Sequence, residues 1–92
     1  MAVHVLVPGP LQPFSGGQSR ISLGTRGTVA DALGELAALH PGVRERVLDE
    51  KGEVRPHINI FVGEENIRDA SGLATRLPED CEIAILPAVS GG

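Results

Sequence analysis

Apolar residues at Val3, Val5 and Val7 alternate with His4 and Leu6. A period of two in β-branched residues predicts a strand, which Pro8 ends. Arg20-Ile21-Ser22-Leu23 alternates again and predicts a second strand. The two pair as a hairpin across a long loop, residues 8–17, rich in proline and glycine. The pattern then takes a helical period. Thr28 suits an N-cap, and Asp31 three residues later makes an acidic form of the capping box. Val29, Leu33, Leu36, Ala37 and His40 fall on one stripe, and Pro41-Gly42 stops the helix. Residues 43–48 predict a short extra turn with Arg44, Glu45 and Arg46 solvated. Alternation returns at Ile58, Ile60 and Val62, a third strand. Residues 63–66 read as a turn into a brief strand at Ile67-Arg68, and residues 73–77 as one helical turn. After the turn Pro78-Glu79-Asp80, residues 82–89 predict a last strand with Ile83 and Ile85 inward.

This order predicts an α+β fold: a mixed four- to five-stranded sheet with one main helix packed on one face. The helix stripe covers Val3/Val5/Val7, Ile58/Ile60/Val62 and Ile83/Ile85. At 92 residues the chain holds one domain, predicted over residues 1–87, with residues 88–92 as a flexible tail. Phe14 and Phe61 are the only aromatics, so the core is aliphatic. Eight Lys and Arg against twelve Asp and Glu leave a net charge of −4, which argues against nucleic acid or an anionic membrane as partner. No apolar run is long enough to span a bilayer, and the N-terminus lacks the basic-then-apolar pattern of a signal peptide. A single cysteine, Cys81, excludes an intrachain disulfide and fits a reducing, cytoplasmic setting.

No catalytic constellation stands out. His4, His40 and His57 lie far apart and at no metal-ligand spacing. Asp80 and Glu82 flank Cys81 and would raise its thiol pKa, the opposite of what a nucleophile needs. No serine has a Gly-x-Ser-x-Gly setting, and no glycine-rich stretch carries the lysine of a phosphate loop. Gly27, before the N-cap, reads as a turn glycine rather than an anion site. The chain therefore reads as a protein that is acted upon or that binds, not as an enzyme. It shows no sign of a bound cofactor or metal.

The unusual feature is the end. A strongly apolar strand runs into Pro87-Ala88-Val89-Ser90-Gly91-Gly92. Six extended residues reach roughly 20 Å. Two glycines carry no Cβ, so the backbone fits a slot too narrow for other residues, with the Gly92 carboxylate at its tip.

Taken whole, the chain resembles the ubiquitin-like sulfur carriers of the β-grasp fold, the ThiS/MoaD family, and most of all their CysO type. The resemblance spans essentially the full length. Its stretches are Ser15-Gly16-Gly17-Gln18, residues 43–49, Asn59-Ile60-Phe61-Val62, Ile67-Arg68, residues 71–75 and Ile85-Leu86-Pro87-Ala88-Val89-Ser90-Gly91-Gly92. Ser90 departs from the small apolar residue usual in that type, but it is still small.

The resemblance implies a carrier mechanism. An adenylating enzyme of the ubiquitin-activating type, using ATP and magnesium, would activate the Gly92 carboxylate. Sulfide, or a persulfide on a sulfurtransferase, would displace AMP to leave a thiocarboxylate. A downstream synthase would then take the sulfur. Gly91, Ser90, Val89 and Ala88 would be the tail that enters the partner's channel. With Ile58, Ile60 and Val62 inward, Phe61 points to the other sheet face, as do Leu86 and Ala84. Phe61 and Leu86 then form part of an exposed docking patch beside the tail, or Phe61 is covered by the Leu11–Phe14 segment. Glu64, Glu65, Glu79 and Asp80 could steer the domain toward basic partners. Two rival readings share this fold: a ubiquitin-like protein modifier, and an interaction module without carrier chemistry.

Overall fold

The computed structural model describes residues 3–87. Five strands form one mixed sheet: β1 (Val3–Leu6), β2 (Arg20–Leu23), β3 (Ile58–Val62), β4 (Glu65–Asn66) and β5 (Cys81–Pro87). Their order across the sheet is β2-β1-β5-β3-β4. The last strand in sequence is thus the middle strand in space. β5 runs parallel to β1, Val5 beside Ile83, and antiparallel to β3, Ile60 beside Ile85. A parallel neighbour needs a crossover, and residues 24–57 supply it with the two helices of the fold.

Helix α1 (Val29–Leu39) starts where a capping box places it. The Asp31 backbone N–H donates to Thr28 Oγ1 at 3.3 Å, and the Thr28 N–H donates to Asp31 Oδ2 at 3.0 Å. Two N–H groups that the first turn leaves without helical partners are thereby satisfied. Val29, Leu33 and Leu36 are buried as their spacing requires, and Ala32 joins them. Ala37 and His40, at the outer end of the stripe, are only half-buried. On the sheet, Val3, Val5, Val7, Ile21, Leu23, Ile58, Ile60, Ile83 and Ile85 are all buried against the helices. Val62, expected in the same row, is half-buried near the end of its strand.

Three segments differ from expectation. Helix formation resumes at once after Pro41-Gly42: α2 (Pro41–Val47) has Pro41 in its first turn, where a missing N–H costs nothing. Proline there ends one helix and opens the next. Val43, Val47 and Leu48 are buried, so this turn belongs to the core.

The loop after β1 is ordered as a 3₁₀ segment, Gly9–Ser15. Pro10 and Pro13 set its φ angles, Leu11 and Ser15 bury their side chains, and Gly16 closes it at φ 67°. It packs on α2, with Phe14 against Gly42 and the Arg46 guanidinium 4.1 Å above the Phe14 ring. Arg46 is therefore stacked rather than freely solvated.

The brief strand beyond Gly63 lies two residues earlier than expected. It is β4, Glu65–Asn66, and Ile67–Asp69 is 3₁₀. Asn66 Oδ1 accepts the Arg68 N–H at 3.0 Å and turns the chain, which buries Ile67. A third 3₁₀ segment, Gly72–Ala74, stands where one helical turn was expected. β5 spans Cys81–Pro87. The rest of the predicted last strand, and with it the predicted tail of residues 88–92, lies outside the described residues.

Candidate functional site

Strand alternation sends His4, Leu6, Asn59, Phe61, Ala84 and Leu86 to the face away from the helices. Pairing then aligns them. Arg20, Leu6, Ala84, Phe61 and Asn66 are successive partners, one from each strand, in a single row across the sheet. Leu86 lies on the same face beside Asn59 and is 47% exposed. Phe61, Leu6 and Ala84 are half-buried. The Leu11–Phe14 segment does not cover Phe61, because it packs on α2 on the other side of the sheet. Phe61 and Leu86 thus share one apolar stretch of the outer face with Ala84 on β5 and Leu6 on β1. An ion pair, Arg20 Nη2 to Glu82 Oε2 at 3.4 Å, borders it.

Leu6 was not singled out from the sequence. Its outward direction follows from the alternation with Val5 and Val7. Its place beside Ala84 does not, because that depends on β1 and β5 being parallel neighbours.

The same stretch reaches the C-terminal end of β5. Pro87 is the last residue of that strand and pairs with Ile58, the first of β3. β1 runs parallel to β5, so it leaves the sheet at this end too. The expected channel residues Ala88, Val89, Ser90 and Gly91, and the expected modified residue Gly92, lie outside the described residues.

The acidic residues gather at the opposite end of the sheet. β3 ends and β5 begins there, joined by the Gly63 N–H donating to the Glu82 carbonyl at 2.9 Å. Glu64, Glu65, Glu79 and Asp80 are all exposed around it.

Other candidate chemistry stays dispersed. His4 faces Ser22 and Glu82 on the outer face, His40 joins α1 to α2, and His57 is exposed before β3. Among the described residues no three of His, Cys, Asp and Glu come close enough to hold a metal ion. Cys81 opens β5 half-buried; burial, and then the Asp80 charge, push its thiol pKa up. The N-terminus of α1 is filled by its own Asp31 carboxylate, whose Oδ2 lies 2.5 Å from where a Cβ on Gly27 would stand. Two carboxyls are held below their ordinary range: Glu35 by the Thr25 hydroxyl and then the Gly24 N–H, and Asp49 chiefly by the Glu53 N–H. Both bind loops to helices or turns, away from the outer face. No helix among the described residues is long and apolar enough to cross a membrane.

The ThiS family matches residues 5–92, which is nearly the whole chain including its last glycine. This chain belongs to the ThiS family. Among ThiS-family relatives, it is 36% identical over 94 residues to the sulfur carrier protein CysO of Mycobacterium bovis, covering 100% of both chains. It is 34% identical over 65 residues to small archaeal modifier protein 3 of Haloferax volcanii, covering 71% of this chain and 70% of that one. A solved structure of the BexX/CysO complex of Amycolatopsis orientalis contains a chain that superposes with a TM-score of 0.89 at 30% identity, covering 99% and 100%. The β-grasp architecture is thus shown, and the sequence likeness to a CysO carrier runs over the full length.

Proposed function

We propose that this protein is a sulfur carrier that delivers sulfur as a thiocarboxylate on Gly92. The observation that carries this reading is that the ThiS-family match extends through Gly91 and Gly92. Its similarity to a named sulfur carrier over the full length supports it.

A carboxylate is a poor electrophile at neutral pH. An adenylating partner of the ubiquitin-activating type joins the Gly92 carboxylate to the α-phosphate of ATP and releases pyrophosphate. ATP and magnesium belong to that partner. Sulfide attacks the acyl carbon and expels AMP to give the thiocarboxylate directly; a persulfide sulfur on a sulfurtransferase would instead give an acyl disulfide, which a second thiol cleaves to the thiocarboxylate while itself ending in a disulfide. A downstream synthase takes the sulfur of the resulting thiocarboxylate, and hydrolysis restores the carboxylate. Gly91 gives the backbone access to a narrow channel, and Ala88, Val89 and Ser90 lie in its mouth.

The folded body contributes the docking surface. Phe61 and Leu86, with Ala84 beside Phe61 and Leu6 across β5 from it, offer an apolar stretch that ends where the chain leaves β5. Such a stretch, rimmed by an ion pair, has the make-up of an interface core and rim. The exposed carboxylates at the far end favour partners with a basic flank.

The test is the intact mass of the native-ended protein after incubation with an adenylating enzyme, ATP and sulfide. A gain equal to one oxygen replaced by sulfur, localised to Gly92, is the expected result. An unchanged mass across several such enzymes would leave an interaction module as the better description. Likeness to a Haloferax modifier protein supports a second reading, a ubiquitin-like modifier joined through Gly92 to a lysine of another protein. Its signature is a ladder of high-mass conjugates in cell extract.

A further inference from the structure

Arg68 and Arg55 tie down the turn that leads into β3, whose first residue pairs with Pro87. Arg68, in the 3₁₀ segment after β4, sends Nη2 back to the carbonyl oxygens of Ile58 at 2.6 Å, Arg55 at 3.2 Å and Pro56 at 3.4 Å. Arg55 reaches the other way. Its Nε donates to the Glu45 carbonyl at 3.0 Å, and its backbone N–H donates to the Val47 carbonyl at 3.0 Å. The turn that leads into β3 is thereby tied on one side to the last turn of α2 and on the other to the β4 segment. Within it the Ile58 N–H donates to the Arg55 carbonyl at 2.9 Å.

Surface turns seldom draw this many side-chain bonds, and this one has a particular neighbour. Ile58 is the residue that pairs with Pro87 and closes the β3–β5 ladder. The Ile58–Pro87 pair exchanges no backbone bonds: with the Gly63 N–H on the Glu82 carbonyl, Asn59 and Leu86 form the last hydrogen-bonded pair, and the Ile58 N–H and carbonyl turn to Arg55 and Arg68 instead. What keeps Ile58 beside Pro87 is therefore the turn and Arg68 rather than the ladder.

We infer that Arg68, with Arg55 behind it, is a positioning residue for the C-terminal glycines. The pair holds Ile58 beside Pro87, so that the five residues beyond Pro87 start from one place. Five residues span at most about 17 Å. If Leu86 and Pro87 come loose, the same carboxylate starts from a mobile root, and Leu86 leaves the docking stretch as well. The fraction of molecules presenting root and stretch together then falls, and apparent affinity falls in the same ratio. Chemistry after binding is untouched, since Arg68 is not required at the reacting carbon.

This inference rests on the carrier reading, so its test includes the wild-type protein. Gly92 adenylation is followed by pyrophosphate exchange for wild type, Arg68→Ala, Arg68→Lys and Thr28→Ala. The last variant loses the α1 cap, far from Pro87, and controls for general loss of stability. For Arg68→Ala the expected result is a KM for the carrier raised about tenfold with kcat within about twofold, which corresponds to a root in place about a tenth of the time. Arg68→Lys keeps one donor group and recovers part of the KM. Thr28→Ala leaves KM unchanged. Amide exchange at residues 58–60 and 84–86 is faster in Arg68→Ala and not in Thr28→Ala. An Arg68→Ala protein with wild-type KM, or a Thr28→Ala protein with an equal rise in KM, overturns the inference. A wild-type protein that no adenylating enzyme turns over overturns the carrier reading instead.

Discussion

Single side chains decide where the helices begin and how the loops lie on them. Thr28 and Asp31 form a reciprocal pair that replaces two missing helical bonds. Thr28→Ala removes one half and should cost about 1 kcal/mol of stability, read from the urea midpoint at constant slope. Glu35 gathers the Thr25 hydroxyl and the Gly24 N–H, tying the strand-to-helix loop to α1. Both bonds favour the ionised form, so the Glu35 carboxyl titrates below its ordinary value of 4.5. A depressed folded pKa gives stability that is present above 4.5 and is lost as pH falls through the folded value. Thr25→Val should therefore lower stability at neutral pH, and its gap from wild type should narrow as the pH drops below 4.5. Denaturation of both proteins between pH 7 and pH 3 reads this directly, and a gap that stays constant would speak against the assignment.

Among the elements, the turns carry most of what strand and helix patterns leave out. Gly63 sits at φ 61° between Val62 and Glu65, which are paired across the β3–β4 turn. A side chain there meets the left-handed penalty, so Gly63→Ala should destabilise by about 1–2 kcal/mol. A loss in the urea midpoint well below that range would mean the turn relaxes. Alternation alone predicts β1, β2 and β3 within a residue, because each has one buried and one outer face. It misplaces β4 because Asn66 ends the strand through a side-chain bond after two residues, and nothing in the hydrophobic pattern marks that. It also undervalues α2. Val43 and Val47 are four apart, as a buried helical face requires, but seven residues are too few to show a period.

For the molecule as a whole, the two faces of the sheet have different work. The inner face is shielded by helices; Ile60, Ile83 and Ile85 are essentially inaccessible. On the outer face Leu86 stays 47% exposed. Replacing Phe61 or Leu86 by Arg should thus alter stability little, within about 1 kcal/mol, while sharply slowing thiocarboxylate formation by the adenylating partner. Equal rates for these variants and wild type would remove the outer face from the docking surface. Deleting Gly92 should abolish the sulfur mass gain with no change in the unfolding midpoint. The net charge of −4 belongs to this scale as well, since it sets a field over the whole surface rather than a single contact.

The sequence by itself determined the class of the fold, the inward rows of the strands, the capped start of α1 and the terminal glycines. These are local matters: period, cap and composition act within a few residues, and each leaves a mark in the chain. It also carried the outward direction of Phe61 and Leu86, since alternation sets direction once a strand is known. Only the tertiary structure decided that β5 lies in the middle of the sheet, beside both β1 and β3. That placement puts Leu6, Ala84 and Phe61 in one row, and it sets Pro87 beside Ile58 and the arginine-braced turn. Arg68 finds its three carbonyls 10 to 13 residues away, and no spacing rule joins an arginine to a backbone at that range. Strand order and long side-chain reach depend on how the whole core closes, so they have no signature in any short stretch of sequence.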